Sequence, residues 1–137
     1  MSITATAKAF YDAMETGKDW NTYKNLCHDG ATFSCQANTL AEVTTLEGYA
    51  AWVKGMFTPI PDMQQEVKAF ATDEERKSVS AIAVAHGTQT GEGGPVPPTG
   101  KKVAADYVYV MEFDGGKIRH MTKIWNDAHT LGQLGWA

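Results

Sequence analysis

The residue types best suited to chemistry are concentrated between Val103 and Asp127. Two runs rich in β-branched and aromatic residues flank Asp114-Gly115-Gly116-Lys117, a strong hairpin signal. On such a hairpin Tyr107, Tyr109, Lys123 and Trp125 can share one sheet face, with Asp127 near its end. A lysine buried under Trp125 and beside a tyrosine would lose hydration, and its pKa would fall. It could then act as a base, form a Schiff base with a carbonyl, or donate to an enolate oxygen. At a sheet margin the same lysine would only lay its stem on apolar surface, or pair with Asp106 or Asp127. The Tyr107 and Tyr109 phenols could donate to a developing oxyanion, although tyrosine in a strand is also a good packing residue. Asp127 could bring a carboxylate to a pocket mouth, or cap the segment that follows. Lys123, Tyr109, Tyr107 and Asp127 are therefore the catalytic candidates.

The turn decides which side chains face each other. A three-residue loop Asp114-Gly115-Gly116 with left-handed Gly116 pairs Tyr109 with Met121 and Tyr107 with Lys123. The tyrosines then share a face with Lys123 and Trp125. A two-residue loop Gly115-Gly116 shifts the register by one and puts His120, Thr122, Ile124 and Asn126 with the tyrosines instead. The three-residue loop is the preferred reading. It turns His120 and Asp106 away from the tyrosine face. His86 lies on another strand and could be a general base at neutral pH or a structural residue.

Other chemistries are disfavoured. Twelve Lys and Arg against sixteen Asp and Glu, with no basic cluster, do not suit a phosphate backbone, so nucleic acid is not an expected partner. The four histidines form no metal-binding motif, and the two cysteines, Cys27 and Cys35, lack CxxC spacing. No metal is expected, and the cysteines read as small hydrophobes. No apolar run is long enough to span a bilayer, and the first residues lack the pattern of a signal peptide. A cytoplasmic protein with no membrane association is the expectation.

The elements that must hold the hairpin follow from periodicity. The 137 residues suit one domain, 1–137, with one substantial core. Ile3, Ala7, Phe10, Tyr11 and Met14 have helical spacing over residues 2–17, closed by Gly17. Asp19 could cap a second, shorter helix carrying Trp20, Tyr23, Leu26 and Cys27. Residues 31–36 read as a strand with Ala31, Phe33 and Cys35 on one face. Residues 40–45 read as a loop or weak strand. Residues 46–57 form a helix with Tyr49, Trp52, Val53 and Met56, and Pro59 lies beyond its end. Strands over about 63–73 and 78–90 follow, then a Gly- and Pro-rich loop over 91–100. Three N-terminal helices set apart from four antiparallel strands make an α+β fold.

Specific motifs then narrow the reading. His86-Gly87-Thr88-Gln89-Thr90-Gly91 with Pro95-Val96-Pro97-Pro98-Thr99-Gly100-Lys101 resembles the GTHxG…PPTGK element of SnoaL-like polyketide cyclases. Phe113 to Ile118 resembles that family's Phe-x-Asp-Gly-Lys-Ile hairpin, and Gln133-Leu134-Gly135 its Gln-Leu-Gly ending. The resemblance implies a cone-shaped α+β barrel, in which a curved, mixed or antiparallel sheet wraps around the three N-terminal helices. Ketosteroid isomerase and nuclear transport factor 2 share it. It also implies a homodimer with a deep apolar pocket in each subunit. Family members close a polyketide ring by intramolecular aldol condensation without a cofactor, using an aspartate on the last strand and a histidine on the strand before it. Anchored on Gly116-Lys117-Ile118 and Gln133-Leu134-Gly135, the alignment puts that aspartate at Lys123 and the histidine at Tyr109.

Around these residues the pocket walls should be apolar. Phe10, Trp20, Phe33 and Trp52 are candidate ligand contacts, with Trp125 and His86 from the strands. Met14, Met56 and Met121 would give a deformable wall. That lining suits a small hydrophobic or aromatic ligand better than a sugar or phosphate. Two functions follow. One is cofactor-free acid/base chemistry, aldol or enolate, on a carbonyl compound, by a cyclase, isomerase or lyase. The alternative is a non-catalytic binding or accessory protein that kept the pocket and lost the aspartate.

Overall fold

The computed structural model describes residues 1–137. Helix α1 (Ile3–Glu15) begins where the Ser2 hydroxyl accepts a hydrogen bond from the Ala5 amide at 3.1 Å. Its buried face carries Ala7, Phe10, Tyr11, Met14 and, at its last residue, Glu15. Helix α2 (Leu46–Met56) is capped in the same way by Thr45, whose hydroxyl accepts from the Gly48 amide at 3.1 Å. The expected helix after Asp19 is instead a pair of 3-10 turns, Trp20–Thr22 and Lys24–Leu26. Asn and Thr are weak helix formers here, and the Thr22 hydroxyl bonds back to the Asp19 carbonyl at 2.7 Å. A third α-helix, α3 (Asp127–Leu134), lies at the C-terminal end rather than among the first elements. Asn126 caps it, and left-handed Gly135 ends it.

Five strands, β1 (Cys27–Cys35), β2 (Gln64–Asp73), β3 (Ser78–Thr88), β4 (Lys102–Asp114) and β5 (Lys117–Trp125), form one open mixed sheet in the order β1-β5-β4-β3-β2. β2 to β5 are antiparallel neighbours, as a meander requires, whereas β1 joins the edge of β5 in parallel. Register breaks in β1, β2 and β5 add the local twist that helps a sheet curve into an α+β cone. The helices α1 and α2 pack on the concave face, where β4 contributes Tyr107, Tyr109, Met111 and Phe113. Ala85 and Ala105 pair across β3 and β4 on that face, and both border an internal cavity. Their short side chains leave space that a larger residue would fill. Cys27 and Cys35 are free thiols, and burial pushes the Cys27 thiol up to about 12.

The hairpin departs from its expected turn yet keeps its expected facing. Asp114 pairs with Lys117, so the loop is the two-residue Gly115-Gly116, with φ of 60° and 84°. Two left-handed residues make the turn whose twist suits a tight hairpin. Alone, this loop would turn Lys123 away from the tyrosines. A bulge intervenes: Phe113 pairs with Ile118 and Glu112 with His120, leaving Arg119 unpaired. The extra residue restores the facing, so that Tyr109 pairs with Lys123 and Tyr107 with Trp125.

Candidate active site

Between the helices, the concave face and α3 lies a cavity of about 330 Å³. β4 and β5 bring Tyr107, Tyr109, Lys123 and Trp125 into its wall, while α2 adds Tyr49, Trp52 and Met56. Its lining is mostly hydrophobic, and the charged side chains reaching it are Lys123 and Glu15. The size and chemistry fit a compact organic ligand whose orientation is set by a few polar groups.

Lys123 sits in a cage of rings. Its Nζ lies 4.1 Å from the ring centroid of Trp125, 5.1 Å from Trp52, 5.2 Å from Tyr49 and 5.4 Å from Tyr107. Such contacts favour the cation, but the side chain is 7% exposed and no carboxylate comes within salt-bridge distance of it. Desolvation wins: burial lowers the Lys123 pKa to about 8, against the opposing charge of Glu15. About one lysine in ten is then neutral at pH 7. The Trp125 ring that covers Lys123 is fixed by its own Nε1, which donates to the Thr130 hydroxyl of α3 at 2.8 Å.

The main residue that sequence reasoning missed is Glu15. Buried at the end of α1, it accepts from the Tyr109 hydroxyl at 2.6 Å and from the Tyr107 hydroxyl at 2.9 Å. Two further phenols extend the network: the Tyr49 and Tyr109 oxygens are 2.5 Å apart, and those of Tyr11 and Tyr107 are 2.6 Å apart. Burial raises the Glu15 pKa, opposed by the two hydrogen bonds and by the charge of Lys123. The C-terminal end of a helix is also an unfavourable place for a carboxylate. A signal was available, since Tyr11 and Glu15 are four residues apart and so share a helix face.

Several expected contacts lie elsewhere. Phe10 and Met14 are sealed in the core beneath the cavity, and Met121 packs there opposite Met111. Phe33 stacks on the face of Tyr49, with centroids 4.3 Å apart, and does not reach the cavity. Trp20 packs edge-on against Tyr23. His86 follows Ala85 in β3 and so points to the opposite sheet face, where its Nε2 meets Glu66 at 3.0 Å. Asp127 is not in the cavity wall: it begins α3 and accepts from the Thr39 amide at 2.9 Å and the Thr39 hydroxyl at 2.7 Å. Those bonds hold its carboxyl below the usual range. His120 is turned away as expected, bonded to Thr32 at 2.7 Å and Ser34 at 3.1 Å.

The cavity also has walls that sequence reasoning did not place. α3 and the residues after it contribute Leu131, Leu134 and Trp136, and the 91–100 loop contributes Pro95. Buried Gln89 staples that loop: its Oε1 accepts from the Thr99 amide at 2.5 Å, and its Nε2 donates to the Gly91 carbonyl at 3.0 Å. Gly91 itself lies so close to the chain that an added Cβ would collide with the Thr58 carbonyl oxygen. The Gly- and Pro-rich motif thus builds one edge of the cavity. No group of three or more His, Cys, Asp or Glu side chains is placed to hold a metal ion, and no helix is long and apolar enough to cross a membrane.

The chain belongs to the SnoaL-like polyketide cyclase family, whose model matches residues 5–134. IdmH from Streptomyces antibioticus, provisionally named a polyketide cyclase, superposes with a TM-score of 0.80 at 23% identity, over 98% of this chain and 99% of that one. A provisionally named SnoaL-like polyketide cyclase from Jannaschia sp. CCS1 also gives 0.80, at 18% identity, over 98% and 92%. AclR from Streptomyces galilaeus, provisionally named a hydroxylase, gives 0.78 at 20% identity, over 98% and 85%. A protein from Catenulispora acidiphila with a ketosteroid isomerase-like fold gives 0.70 at 17% identity, over 96% and 93%. No curated protein sequence matches. A cyclase name and a hydroxylase name on one fold leave the reaction to be argued from the site.

Proposed function

We propose that this protein binds a small, largely aromatic carbonyl compound in the cavity and moves a proton at the carbon next to the carbonyl, without a cofactor. Enolisation of that kind is the first half of an aldol ring closure. The observation that carries the reading is the caged Lys123, a desolvated amine with no carboxylate partner, paired directly with Tyr109 across the strands. Those are the two positions at which the family resemblance expects an aspartate and a histidine.

The chemistry follows from the proton state. Neutral Lys123 would remove the α-proton, becoming an ammonium beside the new enolate, which its charge stabilises. The ammonium then returns the proton to the carbon or the oxygen that needs it. The ring cage would stack on a flat ligand, and the apolar walls would keep water from quenching the enolate. A binding-only role is the second reading, and the tyrosine network favours it: the Tyr107 and Tyr109 protons are already given to Glu15.

Deuterium exchange separates the two. In D₂O, the protein should accelerate loss of the α-protons of 2-tetralone, followed by NMR, with a rate that rises through pH 8. Lys123→Met should lose that acceleration and still bind, as read by quenching of tryptophan fluorescence. Binding by both proteins with exchange by neither establishes the accessory role instead. A homodimer, expected from the family, is part of the proposal and is checked by light scattering.

A further inference from the structure

The tyrosines around Glu15 have a direction, and it leads out of the ligand cavity. Each phenol has one proton to give. If Tyr107 and Tyr109 give theirs to an ionised Glu15, the short contacts beyond them require Tyr11 to donate to Tyr107 and Tyr49 to Tyr109. Tyr107 has a second acceptor, the Gln65 Oε1 at 3.2 Å, but the Glu15 contact is the shorter. The two chains end in different places. Tyr49 and Tyr109 both border the ligand cavity. Tyr11 does not: it borders a second cavity of about 430 Å³, along with Asp12, Thr16, Gln64 and Glu15 itself. Asp12, Thr16 and Gln64 are solvent-exposed. Glu15, with Met63 and Gln65, is thus a wall shared by the ligand cavity and a second cavity that solvent-exposed polar side chains border.

We infer that Glu15, Tyr107 and Tyr11 form a proton relay that connects the ligand cavity to solvent through the second cavity. The inference builds on the proton-transfer reading above and gives it a route for protons when a ligand fills the chamber. The step balances. A hydronium ion in the second cavity gives a proton to the Tyr11 oxygen and becomes water, as the Tyr11 proton passes to Tyr107 and the Tyr107 proton passes to Glu15. One carboxylate becomes one carboxylic acid, and neither phenol is left charged. The reverse shift expels a proton. The titratable groups around the carboxyl are Tyr11, Tyr23, Tyr49, Tyr107, Tyr109 and Lys123. Of the phenols bonded to Glu15 directly or through one other, only Tyr11 reaches the second cavity.

The test follows Glu15 itself and needs no turnover. After a pH jump, the carboxyl stretch of glutamate-labelled protein reports how fast Glu15 gains its proton, and Glu15→Gln identifies the band. The measurement is made without ligand and with 2-naphthol filling the cavity. Tyr11→Phe keeps the ring and removes the outer link, so protonation should slow tenfold or more with 2-naphthol bound. Tyr107→Phe should slow it similarly, whereas Tyr49→Phe, on the chain that ends inside the ligand cavity, should stay within twofold of wild type. Equal rates for wild type and Tyr11→Phe, with and without 2-naphthol, overturn the relay, as does equal slowing by Tyr11→Phe and Tyr49→Phe. A protein that shows the expected pattern and never exchanges 2-tetralone keeps the relay and loses the enzymatic reading.

Discussion

Replacing Lys123 with methionine should make the protein more stable at neutral pH, although it removes a buried side chain with four aromatic neighbours. Lys123 titrates near 8 in the folded chain and near 10.5 when unfolded. Each pH unit between those values is worth about 1.4 kcal/mol, so the buried ammonium costs the fold about 3 kcal/mol below pH 8. Its folded-state value is depressed, and between 8 and 10.5 the unfolded chain binds the extra proton. Wild-type stability from this group therefore rises with pH in that window. Methionine has a similar unbranched stem and no charge, so it avoids the cost and keeps much of the packing. Urea unfolding, followed by tryptophan fluorescence from pH 7 to 9.5, gives both curves below the ordinary range of tyrosine. Lys123→Met should be ahead by about 1–3 kcal/mol at pH 7, allowing for lost cation–π contacts. That lead should shrink by about 2 kcal/mol by pH 9.5. Parallel curves would refute the idea that Lys123 is desolvated.

Two further outcomes test the frame around the site. Asp127→Ala should cost about 1 kcal/mol by removing the acceptor for Thr39, and should leave 2-tetralone binding unchanged in fluorescence titration. A large loss of binding would return Asp127 to the pocket. Gly115→Asn places a residue suited to left-handed backbone at the first turn position. It should hold or slightly raise the melting temperature, while Gly115→Val should lower it by several degrees; the opposite order would contradict the two-residue turn.

The hairpin shows what a sequence carries and what it hides. Period-two alternation put Tyr107, Tyr109, Lys123 and Trp125 on one face, and they are on one face. The route to that result was different, because Gly115-Gly116 forms the shorter turn and the bulge at Arg119 compensates. A bulge has no reliable sequence signature, so two local errors cancelled. Lys123 was legible because it interrupts an apolar strand face. Glu15 was harder to read: its spacing from Tyr11 puts it on the buried helix face, but a glutamate at a helix end ordinarily reads as solvated, and its partners lie 92 and 94 residues away. Asp127 misled for the converse reason: a carboxylate just after the last strand suits either a site or a helix start, and α3 settles it as the second. That helix is short and carries Gly132, which weakens its helical signal. Phe10, Phe33 and Met121 were correctly apolar, but only tertiary packing decides between core and cavity wall.

The central claim is that Lys123 is a desolvated amine that meets a carbonyl ligand. NMR of lysine labelled at Cε, assigned with Lys123→Met, measures its titration directly. The midpoint should fall near 8 in the free protein, and that resonance should change clearly on adding 2-tetralone. A midpoint at the ordinary lysine value near 10.5, indifferent to the ketone, would contradict the claim.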